Sequence, residues 1–186
     1  EFLLGMLHEF RGSLVTMPST SPENGFMDAE NGKSASVAFG SQMDMSLIRE
    51  LFENCVEFAE TAGYADHFVL KRIEYALPKL QKPKIGKEGQ LLEYGEDFKE
   101  EEIQHRHLSH LYGAYPGNEF TPDRNPEFYQ ACMKSLERRG ILSTGWAMGW
   151  RAALWSLFSI TSESIPPRST PPWKSKNAAA KSLRSP

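Results

Sequence analysis

Between Ser41 and Gly63, apolar side chains recur at Ile48, Leu51, Phe52, Cys55, Val56, Ala59 and Ala62. That 3.6-residue rhythm, kept up for about five turns, predicts one long amphipathic helix. Ser41 or Asp44 is placed to open it, and Gly63 to close it with a left-handed residue. A helix with so long an apolar stripe needs other elements to cover it, and the sequence offers more helices. One is expected over about 65–77, with Val69, Ile73, Ala76 and Leu77 on one side and Pro78 stopping it. A third has Asn125 as cap, Pro126 at its first position, Phe128, Cys132 and Leu136 as its stripe, and Gly140 just past Arg138 and Arg139. A fourth is expected over about 144–158, with Trp146, Trp150, Ala153, Leu154 and Leu157 inward. Residues 2–10 read as a short helix, and the one strand signal is a hairpin around Ile85–Tyr94. No internal repeat is present. The expected class is mainly α, built of antiparallel helical hairpins.

A chain of 186 residues, 40% hydrophobic, is long enough for one domain with a core of its own. Its net charge of -3 argues against a nucleic-acid binder, which would show a basic excess. No apolar run approaches the roughly 20 residues of a membrane span. Cys55 and Cys132 are too few for a disulfide framework. The opening residues carry no secretory pattern, and a start at Glu1 suggests a piece of a longer product, so the compartment stays open. Residues 161–186 carry five basic side chains against one acidic, with Pro166, Pro167, Pro171, Pro172 and Pro186 among serines. The expected division is therefore a folded part over 1–158 and a disordered Pro/Ser/Lys-rich tail over 159–186.

Two segments break the helical pattern. Met17-Pro18-Ser19-Thr20-Ser21-Pro22-Glu23-Asn24-Gly25 packs two prolines, three hydroxyls, an amide and a carboxylate into a non-helical turn. Such a turn is a solvated cap, or it holds Glu23 beside apolar walls as a protonated general acid. His105-Arg106-His107-Leu108-Ser109-His110-Leu111-Tyr112 gathers three of the five histidines around a guanidinium. Its residue types suit a metal site, a sugar or anion pocket, or a turn whose imidazoles are satisfied by backbone groups. Between them, Glu93, Glu96 and Asp97 are candidates for a second catalytic group or for pairing with the histidine segment. No phosphate-binding glycine loop and no G-x-S-x-G elbow occurs.

Taken in order, Ser19-Thr20-Ser21-Pro22-Glu23-Asn24, Met43-Asp44, Ile85-Gly86-Lys87, Gly89-Gln90-Leu91-Leu92-Glu93-Tyr94, Asp97, the 105–112 segment, Tyr115-Pro116-Gly117, Arg139-Gly140 and Thr144-Gly145-Trp146 form a pattern. Over residues 1–158 the chain resembles the catalytic domain of glycoside hydrolase family 95, whose main members are inverting α-L-fucosidases acting on α-1,2-linked fucose. The resemblance implies an (α/α)6 barrel, here an incomplete ring of helical hairpins. It further implies Glu23 as catalytic general acid, Arg106 and His107 as substrate-binding residues on the fucose ring, a fucosylated glycan as partner, and no cofactor or metal. Trp146 falls in a matching Gly-Trp segment without an assigned role. Members are often secreted or periplasmic.

Two family segments have no counterpart: an Asn-containing one upstream of the acid, and the downstream stretch bearing the general-base Asp. The expectation is an inactive or weakly active chain, with a truncation, a misread exon boundary or a frame change near Ser159–Ser164. Half a ring also leaves apolar faces uncovered, which favours self-association. An α-L-galactosidase-like specificity, a non-catalytic carbohydrate-binding or helical interaction module, and a zinc protein are the alternatives. The discriminating geometry is whether Glu23 lies within a sugar's width of Arg106 and His107.

Overall fold

The computed structural model describes residues 1–64 and 66–140. The expected fourth helix with Trp146, and the boundary at 158, lie outside the described residues.

The long helix forms as its stripe demands: α2 spans Gln42–Ala62. Ser41 is its N-cap, its hydroxyl accepting from the Asp44 amide, and the Asp44 carboxylate sits favourably in the positive first turn. Gly63 ends it at φ 78°, where a side chain would be strained. Ile48 and Phe52 are buried as expected, but Leu51 and Ala62 face solvent. Helix α3, Phe68–Ala76, packs on α2 and continues as a 3-10 turn over Leu77–Lys79, in which Pro78 removes the donor that a longer helix needs. Its N-cap is the His67 imidazole, which accepts from the Val69 amide. Helix α4, Pro126–Arg139, has Asn125, Pro126 and Gly140 in the expected places. Its buried face is wider than the three-residue stripe and includes Tyr129, Ala131, Ser135 and Arg139.

Strands are where the structure departs from expectation. Residues 2–10 are not one helix. A single turn, α1 (Phe2–Gly5), gives way to β1 (Leu7–Phe10), which pairs antiparallel with β2 (Ser13–Thr16). Arg11 and Gly12 both have positive φ, as a two-residue hairpin turn requires. The hairpin wins over a longer helix because it lays Leu7 and Leu14 against the α2–α3 core. A second small sheet, order β4-β3-β5, joins β3 (Phe26–Met27) to β4 (Ser34–Ala35) and β5 (Lys99–Glu100). The expected hairpin near Ile85–Tyr94 is reduced to one antiparallel bridge between Ile85 and Leu91. The chain is thus helix-rich with short strands.

Two apolar clusters result. Met45, Ile48, Phe52, Ile73 and Leu80 form the one between α2 and α3. Leu91, Leu111, Phe120, Cys132 and Leu136 form the other, between α4 and a 3-10 turn over Ser109–Gly113 that itself packs on α2. Leu51, Phe58, Tyr64, Phe68 and Tyr75 remain exposed along α2, α3 and their connection.

Candidate functional site

The Pro18–Gly25 turn owes its shape to carboxylates outside it. At its start, Asp44 at the head of α2 accepts from Ser19 Oγ at 2.7 Å and from Thr16 Oγ1 at 3.2 Å. At its end, Glu93 accepts from Ser21 Oγ at 2.5 Å and from Asn24 Nδ2 at 2.7 Å. The neighbouring Tyr94 hydroxyl takes the Ser21 amide and donates to the Asn24 carbonyl. Gly25 then leads into β3 where a Cβ would stand 2.5 Å from a Glu101 oxygen and 3.1 Å from the Ala35 carbonyl, so only glycine passes without displacement. Between these anchors Glu23 sits at φ 53°, a left-handed value unusual for a residue with a side chain.

That conformation aims Glu23 at the histidine segment. Its Oε2 receives a hydrogen bond from the Arg106 guanidinium and lies 3.0 Å from His107 Nε2. The three side chains that the sequence singled out, more than 80 positions apart, therefore meet. They meet in the open, at 60%, 53% and 30% exposure for Glu23, Arg106 and His107. The open setting changes the expected protonation. No apolar wall encloses Glu23. The His107 hydrogen bond and the Arg106 charge hold its carboxyl below the usual value. Unliganded, Glu23 is a carboxylate and not the neutral acid expected from the sequence.

The three histidines take separate jobs. His105 is buried, and its Nδ1 accepts from the His107 amide at 3.1 Å, propping the residue that reaches Glu23. His110 is buried beside Glu93, with its Nδ1 3.8 Å from Glu93 Oε2 and without a hydrogen-bond partner among the described residues. Burial pushes His110 down to about 4, so it is neutral at pH 7. No group of three or more His, Cys, Asp or Glu side chains among the described residues is arranged to hold a metal ion. No helix among them is long and apolar enough to cross a membrane.

Of the three acidic candidates, Glu96 pairs with Arg11, and Asp97 accepts from the Lys87 amide and the Gln90 side chain. Glu93 alone is tied to the site. Its side chain is 9% exposed and pairs with Arg139 Nη2 at 2.9 Å. Burial raises its pKa, but the pull of His110 and Arg139 and the bonds from Asn24 and Ser21 outweigh that and leave it lowered. Sequence reasoning offered Glu93, together with Glu96 and Asp97, as a candidate second catalytic group or partner of the histidine segment. It did not find Arg139 there, since an arginine in the last turn of a helix reads as a cap. The weak signal was the Arg139-Gly140 pair within the ordered motif pattern.

Comparison with known proteins shows the family. The model of the "Glycosyl hydrolase family 95 catalytic domain" matches residues 1–165. "Alpha-L-fucosidase 2" of Arabidopsis thaliana is 40% identical over 156 residues, which is 83% of this chain and 18% of that protein. "Probable alpha-fucosidase A" of Aspergillus oryzae is 36% identical over 165 residues, 82% of this chain and 21% of that protein. The chain spans about a fifth of the length of these relatives. Because the family match covers nearly all of the sequence and contains every segment around Glu23, Arg106 and His107, the chain belongs to the glycosyl hydrolase family 95 catalytic-domain family.

Proposed function

We propose that this chain is the acid-bearing segment of an α-L-fucosidase-like catalytic domain that hydrolyses terminal α-1,2-linked L-fucose with inversion. The observation that carries the reading is the meeting of Glu23, Arg106 and His107 at one carboxylate oxygen. The guanidinium and the imidazole N–H are donors suited to sugar hydroxyls. A fucose ring that takes over these donors removes from Glu23 the contacts that keep it ionised. Its pKa then rises, and the carboxyl can hold the proton that the departing glycosidic oxygen needs. Substrate entry thus converts a resting ion pair into a general acid.

Inversion needs a second carboxylate about 6.5–9.5 Å from the first, with water between them. Glu93 does not suit that role, since it is buried and its oxygens are occupied by Ser21, Asn24 and Arg139. The base belongs to the remainder of a complete catalytic domain. In this reading α2, α3 and α4 are part of an (α/α)6 ring, and the exposed Phe58, Tyr64, Phe68 and Tyr75 mark surface that further helices or a second copy would cover.

The test is a graft. The matching segment of the Arabidopsis relative is replaced by the aligned residues of this chain, and fucose release from 2'-fucosyllactose is measured. Release by the graft is expected, with little or none from the 186-residue chain alone. Robust turnover that survives Glu23→Ala would defeat the assignment. Binding without hydrolysis by the graft would favour a carbohydrate-binding role without chemistry.

A further inference from the structure

Glu93 and Arg139 are buried and connect the two loops that carry Glu23, Arg106 and His107. Glu93 accepts from Ser21 and Asn24, the residues two before and one after Glu23. Through its Oε2 it pairs with Arg139 Nη2 at 2.9 Å, and Arg139 Nη1 donates to the carbonyls of Glu102 at 3.0 Å and Ile103 at 2.9 Å. Those carbonyls stand just ahead of His105-Arg106-His107. The His105 amide in turn donates to the Glu102 carbonyl, at 3.1 Å. One continuous set of bonds therefore runs from the Glu23 turn through a buried ion pair to the Arg106–His107 segment.

We propose that Glu93 is the positioning residue of this site: with Arg139 it sets the distance between Glu23 and the pair Arg106 and His107. Three observations support a positioning role over generic stabilisation. Glu93 grips the turn on both sides of the single residue that adopts a left-handed conformation there. Arg139 reaches backbone carbonyls of the opposite loop, with the Glu100 carboxylate of β5 3.6 Å from the same Nη1. Beside them, the neutral His110 Nδ1 stays 3.8 Å from Glu93 without a hydrogen bond among the described residues, which leaves the carboxylate to the turn and the guanidinium. A buried ion pair is weak ground for stability but well suited to fixing one arrangement.

The functional meaning rests on Glu23 being the proton donor, whereas the test reads geometry. The titration of the Glu23 side-chain carboxyl is followed by carbon NMR in the 186-residue chain. In the wild type it should fall below the ordinary 4.5, as the Arg106 and His107 contacts require. In Glu93→Gln the amide can keep its oxygen toward Asn24 and Arg139 but the charge of the buried pair with Arg139 is gone, so the anchor weakens and the Glu23 titration should return toward 4.5. Ser21→Ala, which keeps the charge of Glu93 and its bond to Arg139, should move it part of the way. Ile73→Val, in the other core cluster, should lower the melting temperature and leave the titration in place.

The proposal is overturned if wild type titrates ordinarily, if both site variants keep the wild-type titration, or if Ile73→Val moves it equally. Should Glu93→Gln fail to fold, Ser21→Ala against Ile73→Val decides. A graft without fucosidase activity leaves this result standing, and a titration unchanged from wild type in Glu93→Gln leaves the activity reading standing.

Discussion

His110 gives the fold a pH dependence whose size can be worked out in advance. Its ring is buried, and burial is the main reason its pKa drops from 6.5 to about 4, with Arg139 and Arg138 adding to the drop and Glu93 opposing it. Between those two values the unfolded chain binds a proton that the folded chain refuses. Stability from this residue is therefore complete above pH 6.5 and is lost as pH falls toward 4. A tenfold difference in proton affinity between the folded and unfolded chain is worth about 1.4 kcal/mol, so the loss is about 2 kcal/mol by pH 5 and about 3 kcal/mol by pH 4. Glu93 also destabilises on acidification, but its lowered pKa confines that loss to below 4.5. Glu119 works the other way, because burial holds its carboxyl above the usual value, so urea unfolding at pH 7, 6 and 5 isolates the histidine as the difference from His110→Gln. With a slope of about 2 kcal/mol per molar urea for a domain of this size, the midpoint should fall by about 1 M over that range. In His110→Gln the midpoint should move much less, whatever its level at pH 7. Parallel pH dependence in the two proteins would refute the argument.

Other expected outcomes follow from the same packing. Cys132 is fully buried and its thiol is pushed far up by burial, whereas Cys55 is half-buried; a thiol reagent should label Cys55 in the native chain and reach Cys132 only on unfolding. Ser41→Ala should cost about 1 kcal/mol in chemical denaturation, since it removes the cap of α2. Phe120→Ala, at a site with no exposure in the α4 cluster, should cost about 3–5 kcal/mol. Glu23→Gly should melt higher than Glu23→Ala, because the turn holds that residue at positive φ.

How much of this was legible in the sequence depends on range. The bounds of α2 and α4 could be read because Ser41, Gly63, Pro126 and Gly140 act on their own neighbours, although the Asn125 side chain makes no cap bond to α4 and donates to the Glu119 carbonyl. The β1–β2 hairpin could not. Residues 2–10 hold enough apolar side chains for a helical turn, and what selects the strand is Leu7 and Leu14 packing on α2 and α3. Leu51 fitted the stripe of α2 but faces solvent, since periodicity marks a face without saying how wide a neighbour covers it. At the site, residue types and family pattern pointed to Glu23, Arg106 and His107. The ionised state of Glu23 was hidden, because it depends on how open the turn is and on which donors reach across more than 80 residues. The link from Glu93 to Arg139 was hidden for the same reason.

The claim at the centre is that Glu23 gives its proton to the leaving oxygen, and leaving-group dependence tests it most directly. In the graft, Glu23→Gln should cut turnover of 2'-fucosyllactose by about 100- to 10,000-fold. Turnover of α-L-fucosyl fluoride, whose leaving group departs with little protonation, should stay near the level of the unmutated graft. Equal losses on both substrates would contradict the account, because they would make Glu23 a binding residue and not the acid.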